Sequence, residues 1–498
     1  MAQRAAHEDA DGLRRRKVLV QSAVDDFGDG HFHAGALGEL AQLQRRSRGK
    51  PLIESWFEVA EVLEHFQWVI AEAPEVLERR AFTLPQLPFM SKRNLYVHHP
   101  HGVCALVMPW NFPLAITTGE ILQALVGGNA VVLKPSEFTP FVSLLVAELF
   151  LEGGLAPGLV NVVTGDGRTG ATLVASAVDK VAFTGSFDTG VKIMTACAAR
   201  GVPCTAELGG KDPAIVLEDA NLGSAVLGTL WCGLMNAGQS CSSTERVYVA
   251  RSIHDRFVEL AGEVASRLKV GDGRDLDVEV GPLIALRQIE KVESQVQAAI
   301  AGGARDAAGG KALPELGPYF YAPTVLSGVD DGMRIMKDET FGPVVPVVPF
   351  DSIDDAIRLA NDTPYGLSAT IWTGDVDRGE QLASRIRAGA VWINDGMFSH
   401  SAPQTPWGGP GRSGNSRTHG RWGIESYVRL QYVSSDAHTG TLKDGWYPYG
   451  PARLRYIQAA VDWLYRPGVI RKLAALPRVL AGFVRRCPPP PKEPDPES

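Results

Sequence analysis

Four short apolar runs constrain this chain more than any other feature. They are Val103-Cys104-Ala105-Leu106-Val107-Met108, Ala130-Val131-Val132-Leu133, Leu159-Val160-Asn161-Val162-Val163 and Lys180-Val181-Ala182-Phe183. Each reads as a buried strand, and helical segments such as Phe141 to Leu151 lie between them. Strands that alternate with helices make parallel β-α-β units and a doubly wound sheet. Ligands of such sheets bind where strand C-termini meet helix N-termini.

Residues 211–400 read as a second α/β series. Ala214-Ile215-Val216-Leu217, Val247-Tyr248-Val249 and Ala390-Val391-Trp392-Ile393 are its strands; Ile253 to Leu268, Arg287 to Ile300 and Ser352 to Ala360 are its helices. Before both series, residues 1–80 read mainly as helices, with apolar spacings of three and four over Val18 to Phe27 and Ser55 to Leu77. Residues 82–99, with Pro85 and Pro88, suggest an extended connector or an edge hairpin. Residues 401–420 are rich in Gly, Pro and Ser and read as a loop, and Val428 to Val433 as a late strand.

Composition narrows the function classes. The 498 residues suffice for two or three domains, and the net charge of −7 gives no electrostatic case for nucleic-acid binding. The six cysteines form no C-x-x-C pair, and no His/Cys cluster has zinc spacing, so no metal site is expected and a reducing compartment is. Arg14-Arg15-Arg16 precedes an apolar run too short for a signal peptide, and no stretch reaches the roughly 18 apolar residues of a spanning helix. The cytoplasm is the expected location.

The chemistry centres on Cys241, at the end of Asn236-Ala237-Gly238-Gln239-Ser240-Cys241, and Glu207, at the head of Glu207-Leu208-Gly209-Gly210-Lys211. A thiolate at Cys241 can attack a carbonyl carbon. A carboxylate at Glu207 can serve as base toward a water. The bland alternatives are a small core cysteine and a surface carboxylate pairing near Lys211. Four more runs accompany them: Trp110-Asn111-Phe112-Pro113, Lys134-Pro135-Ser136-Glu137, Phe183-Thr184-Gly185-Ser186 and Glu339-Thr340-Phe341-Gly342-Pro343. In order and spacing the six resemble the signature runs of the aldehyde dehydrogenase superfamily, over roughly residues 35 to 434. Each alone is weak; together they are specific.

The resemblance implies oxidation of an aldehyde to a carboxylic acid, with hydride transfer to NAD(P), through a covalent thiohemiacetal and thioester on Cys241. Glu207 would activate the hydrolytic water, which argues against acyl transfer to coenzyme A. The Asn111 amide and the Cys241 backbone N–H would hold the oxyanion; a turn Asn before Pro113 is the alternative. For the cofactor, Lys134 and Glu137 would contact the adenosine ribose. Gly185 and Ser186 would hold the pyrophosphate at a helix opening on Phe187. Glu339 would hold the nicotinamide ribose, Phe341 would pack near the nicotinamide, and Trp110, Ser136 and Leu208 would complete the cofactor contacts. Ser136 and Glu137 also suit a helix N-cap and first turn. Glu137 would repel a 2′-phosphate, which favours NAD and leaves NADP open.

The implied fold is aldehyde dehydrogenase-like. It has a doubly wound Rossmann-type cofactor domain (1–81 and 100–210), an α/β catalytic domain (211–412) and a β oligomerisation arm (82–99 and 426–434), hence a homodimer or homotetramer. A C-terminal extension follows (435–498), ending in a disordered Pro-rich stretch. Three departures stand out: a short N-terminus, Trp407 and Pro410 in the late Gly-rich loop, and the extension. From 452 to 486 that extension carries eight Lys/Arg against one acid, Asp462. It reads either as a basic helix packed on protein or as an amphipathic segment on an anionic membrane, the latter with a hydrophobic or long-chain aldehyde as substrate. Met235, Trp231, Ser240 and Ser242 are candidate pocket residues. A cofactor-independent thiol esterase and a non-catalytic binding protein are the rival functions.

Overall fold

The computed structural model describes residues 34–85, 92–436, 446–447, 449–465, 467 and 476–477. Two helices come first, α1 (Ala34–Arg48) and α2 (Leu52–Val76), then strands β1 (Arg80–Phe82) and β2 (Lys92–Pro100). The helix read at Val18 to Phe27 lies outside the described residues.

The four apolar runs are strands, followed by a fifth. They are β3 (Val103–Val107), β4 (Ala130–Lys134), β5 (Val160–Val162), β6 (Lys180–Thr184) and β7 (Cys204–Glu207), with helices α3 (Ala115–Val126), α4 (Pro140–Glu152), α5 (Gly167–Ala175) and α6 (Phe187–Ala198) between them. All pair in parallel in the order β5-β4-β3-β6-β7. Successive strand residues point to opposite faces, and β3 shows it. Cys104 and Leu106 join a core with Val62 and Phe66 of α2, Ile121 and Leu122 of α3 and Phe150 of α4. Ala105 joins the other core, with Val174 of α5 and Ile193 of α6. Both faces are covered, so the strands read as continuous apolar runs. Strand order reverses at β3, which opens a crevice between the C-terminal ends of β3 and β6.

The second sheet contains β8 (Asp212–Val216), β9 (Thr244–Ala250), β10 (Arg305–Ala308), β11 (Thr324–Ser327), β12 (Val344–Phe350), β13 (Ser368–Trp372) and β14 (Ala390–Ile393), in the order β10-β11-β12-β9-β8-β13-β14. Only β10 runs antiparallel to its neighbour. Its helices include α7 (Leu222–Leu234), α8 (Arg251–Arg267), α9 (Leu286–Ala301), α10 (Arg334–Lys337), α11 (Ile353–Asn361) and α12 (Val376–Ala383). The chain passes from one sheet to the other over four residues: β7 ends at Glu207 and β8 begins at Asp212. The C-terminal edge of the first sheet is thereby joined to the N-terminal edge of the second. Glu207 therefore lies at a C-terminal strand end of the first sheet, and Cys241 lies just before an N-terminal strand end of the second.

After the loop over 401–420 come α13 (Gly420–Ser426), β15 (Val428–Asp436) and α14 (Pro451–Tyr465). The chain falls into two compact units, one made of residues up to Leu77 with His99–Arg429, the other of Glu78–His98 with the residues from Leu430 onward. In the second unit β1 and β2 form an antiparallel pair and β15 lies on the other side of β2. Tyr432 and Ser434 hydroxyls donate to Asn94 Oδ1 at 2.6 and 3.0 Å, and Phe82 stacks on Tyr96.

Candidate active site

The loop between α7 and β9 carries Cys241 and is shaped by three consecutive left-handed residues: Asn236 (φ 55°), Ala237 (φ 56°) and Gly238 (φ 68°). For a non-glycine residue this conformation costs about 1–2 kcal/mol, so the surroundings must hold it. Asn236 N–H donates to Glu54 Oε1 at 3.0 Å, and its Nδ2 donates to the Asn111 and Gln239 carbonyls, each at 3.1 Å. Gln239 Nε2 returns a bond to the Asn236 carbonyl at 2.9 Å, and Gln239 Oε1 accepts from Ile284 N–H at 2.9 Å. Gly238 is required twice over: its φ is positive, and a Cβ there would stand 2.1 Å from the Gly342 carbonyl oxygen.

Cys241 emerges half-buried just ahead of β9 and packs beside Leu367, Ala390, Trp392 and Trp407. Burial raises its thiol pKa, and the carboxyls of Asp212, Glu207 and Glu339 raise it further. The three carboxyls are shifted by burial as well. Asp212 is pushed up to about 8 although the Ser368 hydroxyl donates to it. Glu339 is pushed up to about 7, by burial and then by neighbouring Glu245, although Gly210 N–H donates to it at 3.0 Å. Glu207 is raised well above the usual carboxylate range by burial, partly offset by the Ser416 hydroxyl, which donates to Oε1 at 2.8 Å. Its Oε2 meets no protein donor among the described residues.

The end of β7 is fixed by the late Gly-rich loop. Ala206 N–H donates to Asn415 Oδ1 at 2.8 Å, Asn415 N–H to the Ala206 carbonyl at 3.1 Å, and Leu208 N–H to the Ser413 carbonyl at 2.9 Å. A Cβ on Gly408 would lie 2.8 and 2.9 Å from the two Glu207 oxygens. The alternative of Glu207 as a surface carboxylate near Lys211 does not hold: Glu207 is buried, and Lys211 Nζ pairs with Glu245 Oε2 at 2.6 Å. Glu245 also accepts the N–H groups of Thr340 and Phe341, each at 2.7 Å, and so ties the run over 339–343 to β9. Asn111 is buried, and its carbonyl accepts from Asn236 of the Cys241 loop. The Trp110 ring meets Phe341 edge-on at 5.5 Å.

The remaining predicted cofactor residues line the C-terminal edge of the first sheet. Lys134 ends β4, with Nζ 3.5 Å from Glu137 Oε2. Ser136 is not a helix cap. Its Oγ accepts from Phe138 N–H at 3.3 Å in a turn, and α4 starts only at Pro140, because the intervening turn from Ser136 to Thr139 closes on itself. Ser186 stands at the N-cap position of α6, where the first helical N–H groups lack intrahelical partners. Gly185 N–H is committed to the Glu207 carbonyl at 3.0 Å, so the anion-binding groups here begin at Ser186 rather than at Gly185. Leu208 packs on α6 where Gly190 leaves room. An ammonium and a carboxylate at one end, a helix N-terminus in the middle and the buried Glu339 with Phe341 beyond fit a nicotinamide dinucleotide laid across the β3–β6 crevice. Among the described residues no group of three or more His, Cys, Asp or Glu is arranged for a metal ion.

Sequence reasoning gave no place at the site to Glu245, Ser416, Gly408, Trp392 or Trp407, though Trp407 stood out as a departure in the late Gly-rich loop. Of the residues named as pocket lining, Ser240 and Ser242 hydroxyls bond to each other at 3.2 Å, and Trp231 is 42% exposed on α7.

The fold and site define a thiol-bearing α/β enzyme with a dinucleotide crevice. The sequence profile of the Aldehyde dehydrogenase family matches residues 34–433. A betaine aldehyde dehydrogenase of Bacillus subtilis (strain 168) is 39% identical over 427 residues, covering 85% of this chain and 84% of that one. A mitochondrial succinate-semialdehyde dehydrogenase of Arabidopsis thaliana is 41% identical over 398 residues, 79% of this chain and 74% of that one. Among solved structures, the NAD+ complex of an aldehyde dehydrogenase from Bacillus cereus superposes with a TM-score of 0.80 at 36% identity, over 85% of this chain and 84% of the other. This chain belongs to the aldehyde dehydrogenase family and is an NAD(P)-dependent enzyme that oxidises an aldehyde.

Proposed function

We propose that Cys241 is the nucleophile, Asn111 the oxyanion donor and Glu207 the hydrolytic base. The observation that carries this reading is the partly buried Cys241 thiol, close enough to Glu207 to feel its charge and carried on the loop whose Asn236 donates to the Asn111 carbonyl. The Cys241 thiol gives its proton to solvent by way of Glu207, the Sγ–carbon bond forms, and the carbonyl π electron pair moves onto oxygen. The Asn111 amide and the Cys241 N–H stabilise that oxygen, each such donor typically lowering the barrier by about 2.7–4 kcal/mol. A bound nicotinamide supplies the acceptor for the hydride that leaves this carbon. The resulting thioester is hydrolysed when Glu207, through the oxygen that lacks a protein donor, takes a proton from water. Lys134, Ser136, Glu137, Ser186, Leu208, Glu339, Phe341 and Trp110 hold the cofactor, with Gly185 shaping the turn ahead of Ser186, and Glu137 disfavours a 2′-phosphate, giving NAD the preference over NADP.

For the substrate, the relatives bear the names of a trimethylammonium aldehyde and a carboxylate aldehyde. The wall beside Cys241 is Leu367, Trp392 and Trp407. That apolar lining supports a hydrophobic or long-chain aldehyde. The test is NADH formation with aldehydes of increasing chain length, beside betaine aldehyde and succinate semialdehyde, with Cys241→Ala as control. Rising kcat/KM with chain length is expected; a strong preference for either charged aldehyde sinks the substrate reading. Full activity of Cys241→Ala sinks the mechanism.

At larger scale we propose the division into cofactor domain (1–81, 100–210), catalytic domain (211–412), oligomerisation arm (82–99, 426–434) and extension (435–498), with a cytoplasmic homo-oligomer. No helix among the described residues is long and apolar enough to cross a membrane. Helix α14 exposes Leu454, Ile457, Val461 and Tyr465 along one stripe, which supports peripheral contact of residues 452–486 with an anionic membrane. Deleting residues 437–498 should abolish co-sedimentation with phosphatidylserine vesicles; unchanged partitioning excludes the contact.

A further inference from the structure

Helix α2 lies far along the chain from the reacting residues and carries none of the six signature runs. Yet its buried face presents Glu54, Glu58 and Glu61, and the buried Lys50 stands just before its start. Lys50 Nζ forms an ion pair with Glu58, donates to the Asn111 carbonyl at 3.2 Å and lies 4.4 Å from the Phe112 ring centre. Glu58 Oε2 accepts the N–H groups of Leu114 and Ala115 at 3.0 and 3.1 Å. The segment from Asn111 to Ala115 is thus gripped at both ends. Glu54 accepts the N–H of Asn236, whose side chain donates to the same Asn111 carbonyl and to the Gln239 carbonyl, two residues before Cys241.

A buried ion pair adds little net stability over apolar packing of the same shape. What this one supplies is direction: Lys50 fixes the Asn111 carbonyl, to which Asn236 also donates, and Glu58 fixes the N–H groups of Leu114 and Ala115. We infer that Lys50 and Glu58 are positioning residues for the oxyanion donor. They hold the Asn111 backbone against the loop that carries Cys241, so that the Asn111 amide stays in reach of the oxygen on which charge develops. The inference rests on the reading of Asn111 as that donor. A displacement of about 1 Å at such a group costs on the order of 100-fold in rate.

The test compares Lys50→Met/Glu58→Gln, Asn111→Ala, the triple variant, Asn236→Gly and Lys50→Arg in the full chain. Asn236→Gly cuts the bond to the Asn111 carbonyl without burying a charge and suits the left-handed backbone. The measurements are kcat, KM, NAD binding by fluorescence and the thermal midpoint. Lys50→Met/Glu58→Gln should lower kcat about 100-fold with NAD binding intact. The triple variant should be no slower than Asn111→Ala, Asn236→Gly should lose kcat in the same direction, and Lys50→Arg should recover most of it. Additive losses in the triple variant overturn the inference, as does full kcat in Asn236→Gly, which also decides the matter if the charge variants do not fold. Full kcat in Asn111→Ala is a separate result, and it removes the oxyanion reading itself.

Discussion

At the scale of single residues, the site is a thiol among carboxyls that burial has pushed toward their neutral forms. This has consequences for pH. As the proposed base Glu207 would act only when ionised, and its pKa is raised well above the ordinary carboxylate value, with burial as the first cause. If hydrolysis limits turnover, kcat should rise with pH through a single limb centred above the usual range of about 4.3, and Glu207→Gln should remove that limb along with most of the turnover. A pH profile of kcat checks both. Stability should run the other way. A carboxyl with a raised folded pKa stabilises the fold below its unfolded pKa, and that contribution is lost as pH rises through the folded value. Glu207→Gln escapes this loss, so its thermal midpoint should gain on the wild type between pH 5 and pH 8. Equal differences at the two pH values would contradict the assignment. The pair could be proposed from sequence alone, because Cys241 and Glu207 sit in runs that carry their own local signal. Ser416, Gly408 and Glu245 were not. Each matters only through a contact with a residue far away in sequence, and serine, glycine and glutamate are common everywhere.

At the scale of elements, legibility followed burial. Strands β3, β4, β6 and β14 were read closely because continuous apolar residues fill them. Strand β12 went unread although it is central, because Pro346 and Pro349 interrupt Val344–Phe350 and proline ordinarily argues against a central strand. Strand β13 hid behind Ser368 and Thr370, both buried. Helix α7 hid behind Gly223, Gly228 and Gly233, residues of poor helix propensity. Close packing explains two of these glycines: a Cβ on Gly228 would stand 2.1 Å from the Trp372 ring, and one on Gly233 would stand 2.6 Å from Val345. The link between elements most exposed to a single change is Lys211–Glu245, which joins the entry of β8 to β9 and, through Thr340 and Phe341, to the run after α10. Both side chains are almost wholly buried. Removing one partner of such a pair leaves an uncompensated charge and costs about 3–5 kcal/mol. Lys211→Met should lose stability of that order in urea denaturation and weaken NAD binding through Phe341. A loss under about 1 kcal/mol would mean that the pair is solvated in solution.

At the scale of the whole molecule, the proposed arm is the place to look for a second chain. Among the described residues strand β15 lies at the edge of its sheet, and edge strands are liabilities unless short, charged or covered. This one runs from Val428 to Asp436 with most of its residues exposed, and among them Leu430 and Tyr432 are 62% and 52% exposed. Tyr96 on β2 is also exposed. Large apolar side chains clustered on a sheet with an open edge mark an association surface, and pairing with the same strand of a second copy satisfies the edge and buries the rings in one arrangement. Tyr432 is already engaged, since its hydroxyl donates to Asn94, so Leu430 is the cleaner position to change. Leu430→Asp places a charge on the exposed face while leaving the bonds to Asn94 in place. It should convert an oligomer into a protomer of 53.5 kDa by light scattering after gel filtration, with the thermal midpoint lowered and the Cys241 chemistry retained in part. The wild type eluting as a protomer, or Leu430→Asp keeping the oligomeric mass, would show that the arm serves another purpose and would turn attention to the apolar stripe of α14.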